Sequence, residues 1–439
     1  QLILSPKSYS FEMWKETPVP VYLEFYFFNW TNSGDLTNPD KTIRKPNLVE
    51  LGPYVFRETK RKVILNWHDN NGTVTFLQNK TWHFDPKLST GSLNDIVTTL
   101  NVPAIAAAFV VKKHPPIIKT MLGMTMSLFE TSLSIQKTIR ELTFDGYEDP
   151  LLDLASIVPN SVAPVTIPFD KFGWFYTRNN SASYDGVFNM YTGSRNIQSF
   201  GELAKWNYEN YTTAYKSSCG RIGGSAGEFF MPVKKKESIS LFSTDVCRQL
   251  KMPYKEEILV DGIKAFRYWG DEKMLDTSSP SHPDNWCFCN SGKCPPKGVI
   301  DVSSCKWNAP AYVSFPHFLH ADASYRRSVN GMKPNASIHQ MYIDLEQRSG
   351  IPLQVEASMQ INILIEPHPE YNSMKHLPTL YFPIFWFKQR ARVDDKIGSQ
   401  IHLLNKIFIS GYVIFGTVAA FASWSFFWCQ FPKRGENET

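Results

Sequence analysis

Six of the seven cysteines of this 439-residue chain lie within residues 219–305, and this cluster constrains the fold more than any other feature. An even, clustered set predicts a disulfide network, which persists only in an oxidising compartment. A structural zinc site would instead need repeated pairs about two to four residues apart, and a Cys-Phe-Cys triplet is too tight for that pattern. Because six cysteines can pair in about fifteen ways, this pattern alone leaves the connectivity open. The six are Cys219, Cys247, Cys287, Cys289, Cys294 and Cys305.

N-glycosylation sequons lie on both sides of this cysteine-rich stretch. Each N-x-S/T site predicts a glycan on a surface loop of a secreted or luminal segment. Together with the cysteines, they indicate that most of the chain faces the cell exterior or the lumen of an organelle. The predicted sites are Asn29, Asn71, Asn79, Asn179, Asn210 and Asn335.

One long apolar segment predicts a membrane-spanning helix. Residues 407–428 carry no charge, and we place the helix at residues 403–429. At about 1.5 Å per residue the uncharged stretch spans roughly 33 Å, which is enough for the apolar core of a bilayer. Basic residues follow it, so residues 430–439 are predicted to be cytoplasmic and residues 1–402 to lie outside.

The two ends of the chain carry further predictions. The sequence begins at Gln1 without a signal peptide, and a removed signal peptide and a trimmed first membrane helix are both open interpretations. Cys429, at the membrane boundary, is either a palmitoylation site or an ordinary reduced cysteine.

The part outside the membrane is predicted to be mainly antiparallel β structure, in one elaborate domain or two. Residues 353–365 alternate apolar and polar side chains, which predicts a long strand with one buried face. Residues 62–67 and 73–78 flank an Asn-Gly turn and predict a hairpin. Helices are predicted near residues 103–142, where residues 117–134 form either a buried bundle helix or a Met-rich contact surface.

With 46 basic and 41 acidic residues, the charge balance gives no support to nucleic-acid binding.

Two motifs typical of enzymes occur without their usual context. Residues 223–227 (GGSAG) match a serine-hydrolase elbow, but a proline at 232 and the absence of a helical pattern favour a glycine-rich loop. His317 and His320 lie in a proline-containing aromatic run without matching acids, which favours structural histidines over metal ligands. The sequence therefore predicts no enzyme, no cofactor and no metal site.

Five motifs in combination resemble the class B scavenger receptors, a family that includes fatty acid translocase and the high-density lipoprotein receptor. They are FEMWK with PVP at residues 11–20, GPYVFR at 52–57, FSTDVCR at 242–248, PDNWCFC at 283–289 and PHFL at 316–319. The resemblance runs through nearly the whole chain.

The resemblance implies an α+β fold, in which a large antiparallel β-barrel ectodomain is capped by an apical helical bundle and encloses a hydrophobic tunnel. It also implies two membrane helices with cytoplasmic ends, the first of which is expected to precede residue 1 and to be missing here. The disulfide pairing that it implies is Cys219–Cys287, Cys247–Cys305 and Cys289–Cys294.

Several site residues follow from the same resemblance. Lys306 occupies the position of a lysine that contacts fatty-acid carboxylates, where a cation at the mouth or wall of an apolar cavity would fix the head group. Without the resemblance, a lysine simply exposed beside a disulfide is an equally open interpretation. Leu128 and Glu130 replace lysines that attract oxidised, anionic particles in fatty acid translocase, and nearby lysines could substitute for them. His114 falls near a pH-sensing histidine of the lysosomal member, although two prolines follow it here. The predicted ligand-binding apex comprises Lys112, Lys113, His114, Lys119, Met121, Leu122 and Phe129.

The predicted function is that of a plasma-membrane receptor that binds lipids or lipoprotein particles and transfers lipid through the tunnel to the membrane. The lipid could be a fatty acid, sterol, carotenoid or phospholipid. One alternative is a phagocytic or pattern-recognition receptor for apoptotic cells or microbes, without internal transfer. Another is an endosomal or lysosomal cargo receptor that releases its cargo at acid pH.

Overall fold

The computed structural model describes residues 3–36, 45–157, 169–231, 236–278, 285–289 and 294–430. Within these ranges the helices are short, except for the last. In chain order they are α1 (Tyr9–Lys15), α2 (Val102–Val111), α3 (Pro116–Leu128), α4 (Pro150–Ile157), α5 (Ala323–Ser328), α6 (Ala336–His339) and α7 (Asp395–Gln430).

Strands make up most of the remaining regular structure of the described residues. The first eight are β1 (Val21–Trp30), β2 (Leu48–His68), β3 (Thr73–Phe84), β4 (Ile96–Leu100), β5 (Ser134–Thr138), β6 (Phe188–Tyr191), β7 (Leu203–Trp206) and β8 (Ile239–Ser243). The others are β9 (Arg248–Met252), β10 (Tyr254–Val260), β11 (Ile263–Trp269), β12 (Val299–Asp301), β13 (Ala311–Ser314), β14 (Tyr342–Glu346), β15 (Pro352–Ile365) and β16 (Leu380–Arg392).

The antiparallel sheet predicted from the alternating residues is confirmed. Twelve strands form one sheet with the order β10-β11-β14-β15-β16-β1-β2-β3-β6-β7, and β12 and β13 branch from β15. The described ladders form an open path with β10 and β7 at its ends, rather than a ring. The predicted hairpin is the β2–β3 pair, in which Trp67 lies opposite Val74 and Gly72 adopts a φ of +66°.

Aromatic side chains fill the space enclosed by the long central strands. Phe25 of β1 packs edge-on against Phe175 and Phe56, with ring centroids 4.9 and 5.7 Å apart. Phe144 joins this cluster against Phe56, with ring centroids 4.8 Å apart, and Trp82 packs on Phe144 at 5.6 Å. Edge-to-face rings gain electrostatic energy beyond the burial of their area, so this cluster is a rigid part of the core.

The long strand β15 matches the predicted alternation but buries both faces in its middle. Ser358, Gln360 and Asn362, predicted to face solvent, are each 0% exposed. Strand β13 and the segment after it cover two of them: the backbone N–H of His317 donates to Oε1 of Gln360 at 2.7 Å, and Asn362 donates to Oγ of Ser314 at 3.0 Å. These hydrogen bonds offset the cost of burying Gln360 and Asn362, whereas Oγ of Ser358 is buried without a partner among the described residues. The polar face of the strand is therefore part of the core.

The C-terminal helix α7 begins against the sheet. Ile401 is 5% exposed, and it packs with Ile397 against Val260, Ile263 and Leu353. Across the described residues, no helix combines the length and apolar character needed to cross a membrane. The side chains of Cys429 and of several positions within residues 407–428, and all of residues 431–439, lie outside the described residues. The membrane-spanning helix, the palmitoylation site and the cytoplasmic tail therefore stay predictions.

Candidate functional site

A cavity of about 550 Å³ lies between the apical helices and the sheet. Ligand pockets in proteins commonly measure about 300–1,000 Å³, so the space suits a molecule of that class. The strands contribute a continuous apolar wall of side chains that all point to one face of the sheet: Val313, Met359, Ile361, Ile363, Phe385 and Phe387.

The roof of the cavity is formed by α2, α3 and α4. Asn101 caps α2 by accepting a hydrogen bond from the N–H of Ala104, and Pro103 occupies the first turn. Because α2 is apolar all round, it is stable only when buried or when it lines an apolar space. Its inward side chains in the roof include Ala106, Ala107, Val110 and Val111.

One part of the cavity wall is charged. Arg178 is 7% exposed and donates to Oδ1 of Asp185 at 3.0 Å and to Oδ1 of Asp245 at 2.9 Å. Lys80 adds a second ion pair to Asp185 at 2.6 Å. Burial alone would raise the pKa of Asp185, but Lys80 and Arg178 hold it well below its usual value. The guanidinium is therefore neutralised by its neighbours.

Lys306 lies in the same wall, and its contact with lipid stays a prediction. It is partly buried, and its Nζ forms no hydrogen bond or ion pair within the described residues. Burial lowers the pKa of Lys306, and the nearby charge of Asp245 offsets part of that effect. An unpaired cation at the edge of an apolar space can hold an anionic head group.

Three disulfides fix the loops beside this wall. The structure joins Cys219 to Cys287, Cys247 to Cys305 and Cys289 to Cys294, with Cα atoms 5.8, 5.9 and 5.4 Å apart. This is the pairing that the resemblance implied. The Cys247–Cys305 bridge itself lines the cavity and immediately precedes Lys306, so it fixes the position of that lysine.

The predicted cationic residues of the apex are partly neutralised. Lys112 Nζ lies 2.7 Å from Oε1 of Glu366, and Lys119 Nζ lies 3.2 Å from Oε1 of Glu370. Lys113 is exposed in the turn between α2 and α3, and His114 is partly buried there. Surface ion pairs contribute little stability, but they reduce the positive field that a passing anion meets.

The outer face of α3 is apolar and exposed. Two buried side chains of this helix, Ile118 and Leu122, line the cavity. The helix ends at Leu128, earlier than the predicted residue 134. Phe129, just beyond it, is 53% exposed. Met121 is 40% exposed and also lines the cavity, so the stripe continues into it. Residues spaced by three or four form one helix face, here Ile117, Met121, Met124 and Leu128.

The enzyme-like motifs serve structural roles. Ser225 donates its hydroxyl hydrogen to the carbonyl of Phe229 and accepts from the N–H of Gly227, which closes the glycine-rich loop. Among the described residues, no group of three or more His, Cys, Asp or Glu side chains could hold a metal ion.

His317 belongs to a buried polar cluster. Its Nδ1 accepts from the N–H of Lys333, so Nε2 carries the proton that it donates to Glu50 at 2.6 Å. Its ring stacks on His339 at 4.5 Å, and burial together with His317 lowers the pKa of His339 to about 4. His320, the other candidate ligand, instead contacts Oε1 of Gln340 at 2.9 Å.

The predicted glycan acceptors differ in accessibility. Asn79 is partly buried: its Nδ2 donates to Oδ1 of Asn180 at 3.1 Å, and its own Oδ1 is buried without a partner. Asn29 is also partly buried, and its Oδ1 accepts from the N–H of Thr98. The exposed sites are Asn71, Asn179, Asn210 and Asn335.

Sequence reasoning missed the charged part of the wall. Arg178 and Asp185 lie in the loop before β6 and Asp245 lies between β8 and β9, and no spacing pattern links the two segments. The one available signal was the FSTDVCR motif, which contains Asp245 and was used only for its similarity to the family.

Comparison with known proteins places the chain among receptors. The model of the CD36 family matches residues 1–431. Protein peste of Drosophila melanogaster is 35% identical over 424 residues, which cover 96% of this chain and 74% of that protein. Scavenger receptor class B member 1 of Bos taurus is 32% identical over 398 residues, which cover 90% of this chain and 75% of that protein.

A third relative is Lysosome membrane protein 2 of Rattus norvegicus, which is 30% identical over 406 residues, covering 91% of this chain and 80% of that protein. These alignments extend over nearly the whole chain, including the segments that build the cavity. The chain therefore belongs to the CD36 family, the class B scavenger receptors, whose members are receptors and not enzymes.

Proposed function

We propose that this receptor takes up lipid in the cavity beneath its apical helices and passes it through the ectodomain towards the membrane. The observation that carries the proposal is the apolar cavity with Lys306 in its wall. The receptor would act at the plasma membrane, with residues 1–402 outside and residues 403–429 as its C-terminal anchor. Its partners would be lipids and the lipoprotein particles that carry them.

Hydrophobic transfer supplies the driving force. Each methylene moved from water into an apolar cavity gains about 0.8 kcal/mol, so an acyl chain needs no other source of energy. The apolar stripe on α3 would contact the particle surface, and Met121 would connect this stripe to the cavity. Because polarizable Met side chains adapt to varied surfaces, this contact suits a fluid lipid layer.

Lys306 would bind the head group. A hydrogen bond to a charged partner contributes about 1.5–3 kcal/mol, so Lys306→Met should weaken binding of a long-chain carboxylate at least about tenfold. The corresponding methyl ester carries no charge and should bind both proteins equally. Equal loss for the acid and the ester would contradict the assigned role.

The decisive experiment is mass spectrometry of lipids extracted from the purified, glycosylated protein. Ala107→Trp places an indole in the cavity roof and should remove the co-purified lipid, whereas Ala323→Trp, at an exposed position of α5, should retain it. Particle binding should survive in both variants. A lipid-free wild-type protein that still binds particles would contradict internal transport.

The second candidate is a recognition receptor that binds the surfaces of cells or microbes and moves no lipid inside. The exposed stripe on α3 favours it, because that surface is available without the cavity. Under this alternative, substituting Met124 with Glu should abolish particle binding, while Ala107→Trp should leave every cellular activity of the receptor unchanged.

A further inference from the structure

The last helix, α7, is held against the tip of one hairpin. A two-residue turn, Asp261 and Gly262, joins β10 to β11, and its φ values of +48° and +79° are those that a tight hairpin turn requires. Nε2 of His402 donates to the carbonyl of Asp261 at 3.0 Å. Arg392, at the end of β16, donates to Oδ1 of Asp261 at 2.6 Å. The hairpin tip therefore lies beside residue 402, one residue before the predicted membrane helix.

A second loop reaches the same part of α7. This loop joins β14 to β15, and Glu346 closes it by accepting a hydrogen bond from the N–H of Ser349 at 2.6 Å. Arg348, within the loop, donates from Nη1 to Oδ1 of Asn405 at 3.4 Å. Asn405 belongs to the predicted membrane helix, residues 403–429. The loop thus contacts α7 at the level where that helix would enter a bilayer.

Both loops expose an aliphatic side chain. Leu259, beside the hairpin tip, is 67% exposed, and Ile351, at the end of the second loop, is 39% exposed. Neither belongs to the apolar cluster that holds α7 against the sheet. Leu403 and Leu404 of α7 are exposed at the same level. Exposed apolar side chains gathered around the start of a predicted membrane helix indicate a surface that meets lipid.

The charged groups of this surface suit a phospholipid layer. Arg348 and Lys406 are exposed, and such long side chains can hold their charge among phosphate groups while their stems lie along apolar surface. The acidic group of the hairpin tip, Asp261, is paired with Arg392. Residues 394–395, which are also acidic, lie about two helical turns before residue 402 and so further from the predicted span.

This surface lies far from the apex. Leu353, near the start of β15, packs in the cluster that holds α7, whereas Glu366, just after the end of the strand, pairs with Lys112 of the apex. The strand has 14 residues and rises about 3.3 Å per residue, so the two ends are separated by roughly 45 Å. A particle bound at the apical helices therefore leaves this surface free.

We propose that the β10–β11 tip and the β14–β15 loop, together the membrane-facing loops, rest in the headgroup layer of the bilayer that α7 enters. Leu259 and Ile351 insert at the boundary between headgroups and acyl chains, and Arg348 binds lipid phosphate. This inference rests on the proposed function, in which residues 403–429 anchor the receptor. It adds two contacts beside that anchor, which fix how the ectodomain stands on the membrane.

The test uses the full chain in phospholipid nanodiscs and a fluorophore whose emission depends on polarity. The fluorophore is attached to Leu259→Cys or to Ile351→Cys, each combined with Cys429→Ser. Because the other six cysteines form three disulfides, the introduced cysteine is then the one free thiol. Emission should shift to the blue at both positions. Phospholipids that carry a nitroxide near the headgroup should quench it at least about twofold, because the fluorophore lies in that layer.

The matched control is Ile338→Cys in the same background. Ile338 is an aliphatic residue of α6 with 46% exposure. Its neighbour His339 packs on Trp386, with ring centroids 5.2 Å apart. Trp386 lies six residues before Arg392 on β16, which is about 20 Å along the strand. The fluorophore at Ile338 should therefore keep the emission that it has in water and should not be quenched.

Two results would overturn the proposal. One is quenching at Leu259 and Ile351 that does not exceed the quenching at Ile338. The other is a blue shift without quenching by nitroxide lipids, which would mean that a second copy of the chain covers the surface. In both cases lipid that co-purifies with the wild-type protein would still support the proposed function. A full chain that fails to enter nanodiscs would contradict the anchor of the proposed function as well as the membrane-facing loops.

Discussion

Nζ of Lys112 lies 2.7 Å from Oε1 of Glu366, so a predicted anion-attracting lysine of the apex is bound to a carboxylate of the chain itself. Lys119 is paired in the same way with Glu370. The apex therefore presents less free positive charge than its lysines suggest. Beside these ion pairs, the exposed face of α3 carries the apolar stripe.

This pairing predicts that removing the acid strengthens attraction to anionic surfaces. Glu366→Gln should raise binding to anionic liposomes, because it frees the charge of Lys112, while binding to neutral liposomes should not change. The gain should disappear at high salt, where exposed charges are screened. Lys112→Ala is the opposite control and should reduce binding. If neither variant alters binding in a liposome sedimentation assay, these charges do not recruit particles.

The ion-pair cluster in the cavity wall predicts a large stability cost when its cation is removed. Arg178→Ala leaves Asp185, which is 4% exposed, with Lys80 as its one remaining cationic partner in the described cluster. Breaking a buried pair from one side commonly costs about 3–5 kcal/mol. Denaturant unfolding of the detergent-solubilised protein measures this loss.

The control for Arg178 is Arg221→Ala, because Arg221 is exposed. This substitution should change the free energy of unfolding by no more than about 0.5 kcal/mol. Arg178→Lys keeps the charge but loses the forked geometry of the guanidinium. Its loss of unfolding free energy should therefore lie between those of Arg178→Ala and Arg221→Ala. A loss below about 1 kcal/mol for Arg178→Ala would show that the cluster does not hold the wall together.

The partly buried carboxylate of Glu228 predicts how stability depends on pH. Burial alone would raise its pKa, but Lys62 and Lys60 lower it to about 2. The pKa of Glu228 in the folded protein therefore lies below its unfolded value of about 4.3, so the ionised carboxylate stabilises the fold. This contribution to stability is complete above pH 4.3 and is lost as the pH falls towards 2. The fold should therefore keep this contribution at the pH of acidic organelles, near 5.

The corresponding measurement is urea unfolding between pH 6 and pH 2. A pKa lowered from about 4.3 to about 2 corresponds to roughly 3 kcal/mol, so the stability difference between the wild type and Glu228→Gln should shrink by an amount of this order in that window. Glu228→Gln should be less stable at pH 6 and show a flatter profile. Glu209→Gln, at an exposed position, should follow the wild-type curve. A wild-type loss that is already complete at pH 5 would contradict this assignment.

Several of these features could be predicted from the sequence and others could not, for physical reasons. The alternation in residues 353–365 predicts β15, because a strand has a period of two. The burial of Gln360 could not be predicted, since it depends on the distant segment that carries His317. Likewise, the contact of Arg178 with Asp245 joins residues far apart in the chain, and no local periodicity encodes it.

The accessibility of the sequons predicts unequal glycan occupancy. A glycan is attached to Nδ2, and in Asn79 this atom donates to Asn180 while Oδ1 is buried. A glycan there would have to displace both side chains, so we expect Asn79 to be unoccupied in the folded, secreted-pathway protein. Asn210 is exposed and should be occupied. Glycopeptide mass spectrometry measures both sites directly. Asn210→Gln should increase electrophoretic mobility by the amount that corresponds to the loss of one glycan, and Asn79→Gln should leave the mobility unchanged. Full glycan occupancy at Asn79 would contradict the expectation drawn from its local geometry.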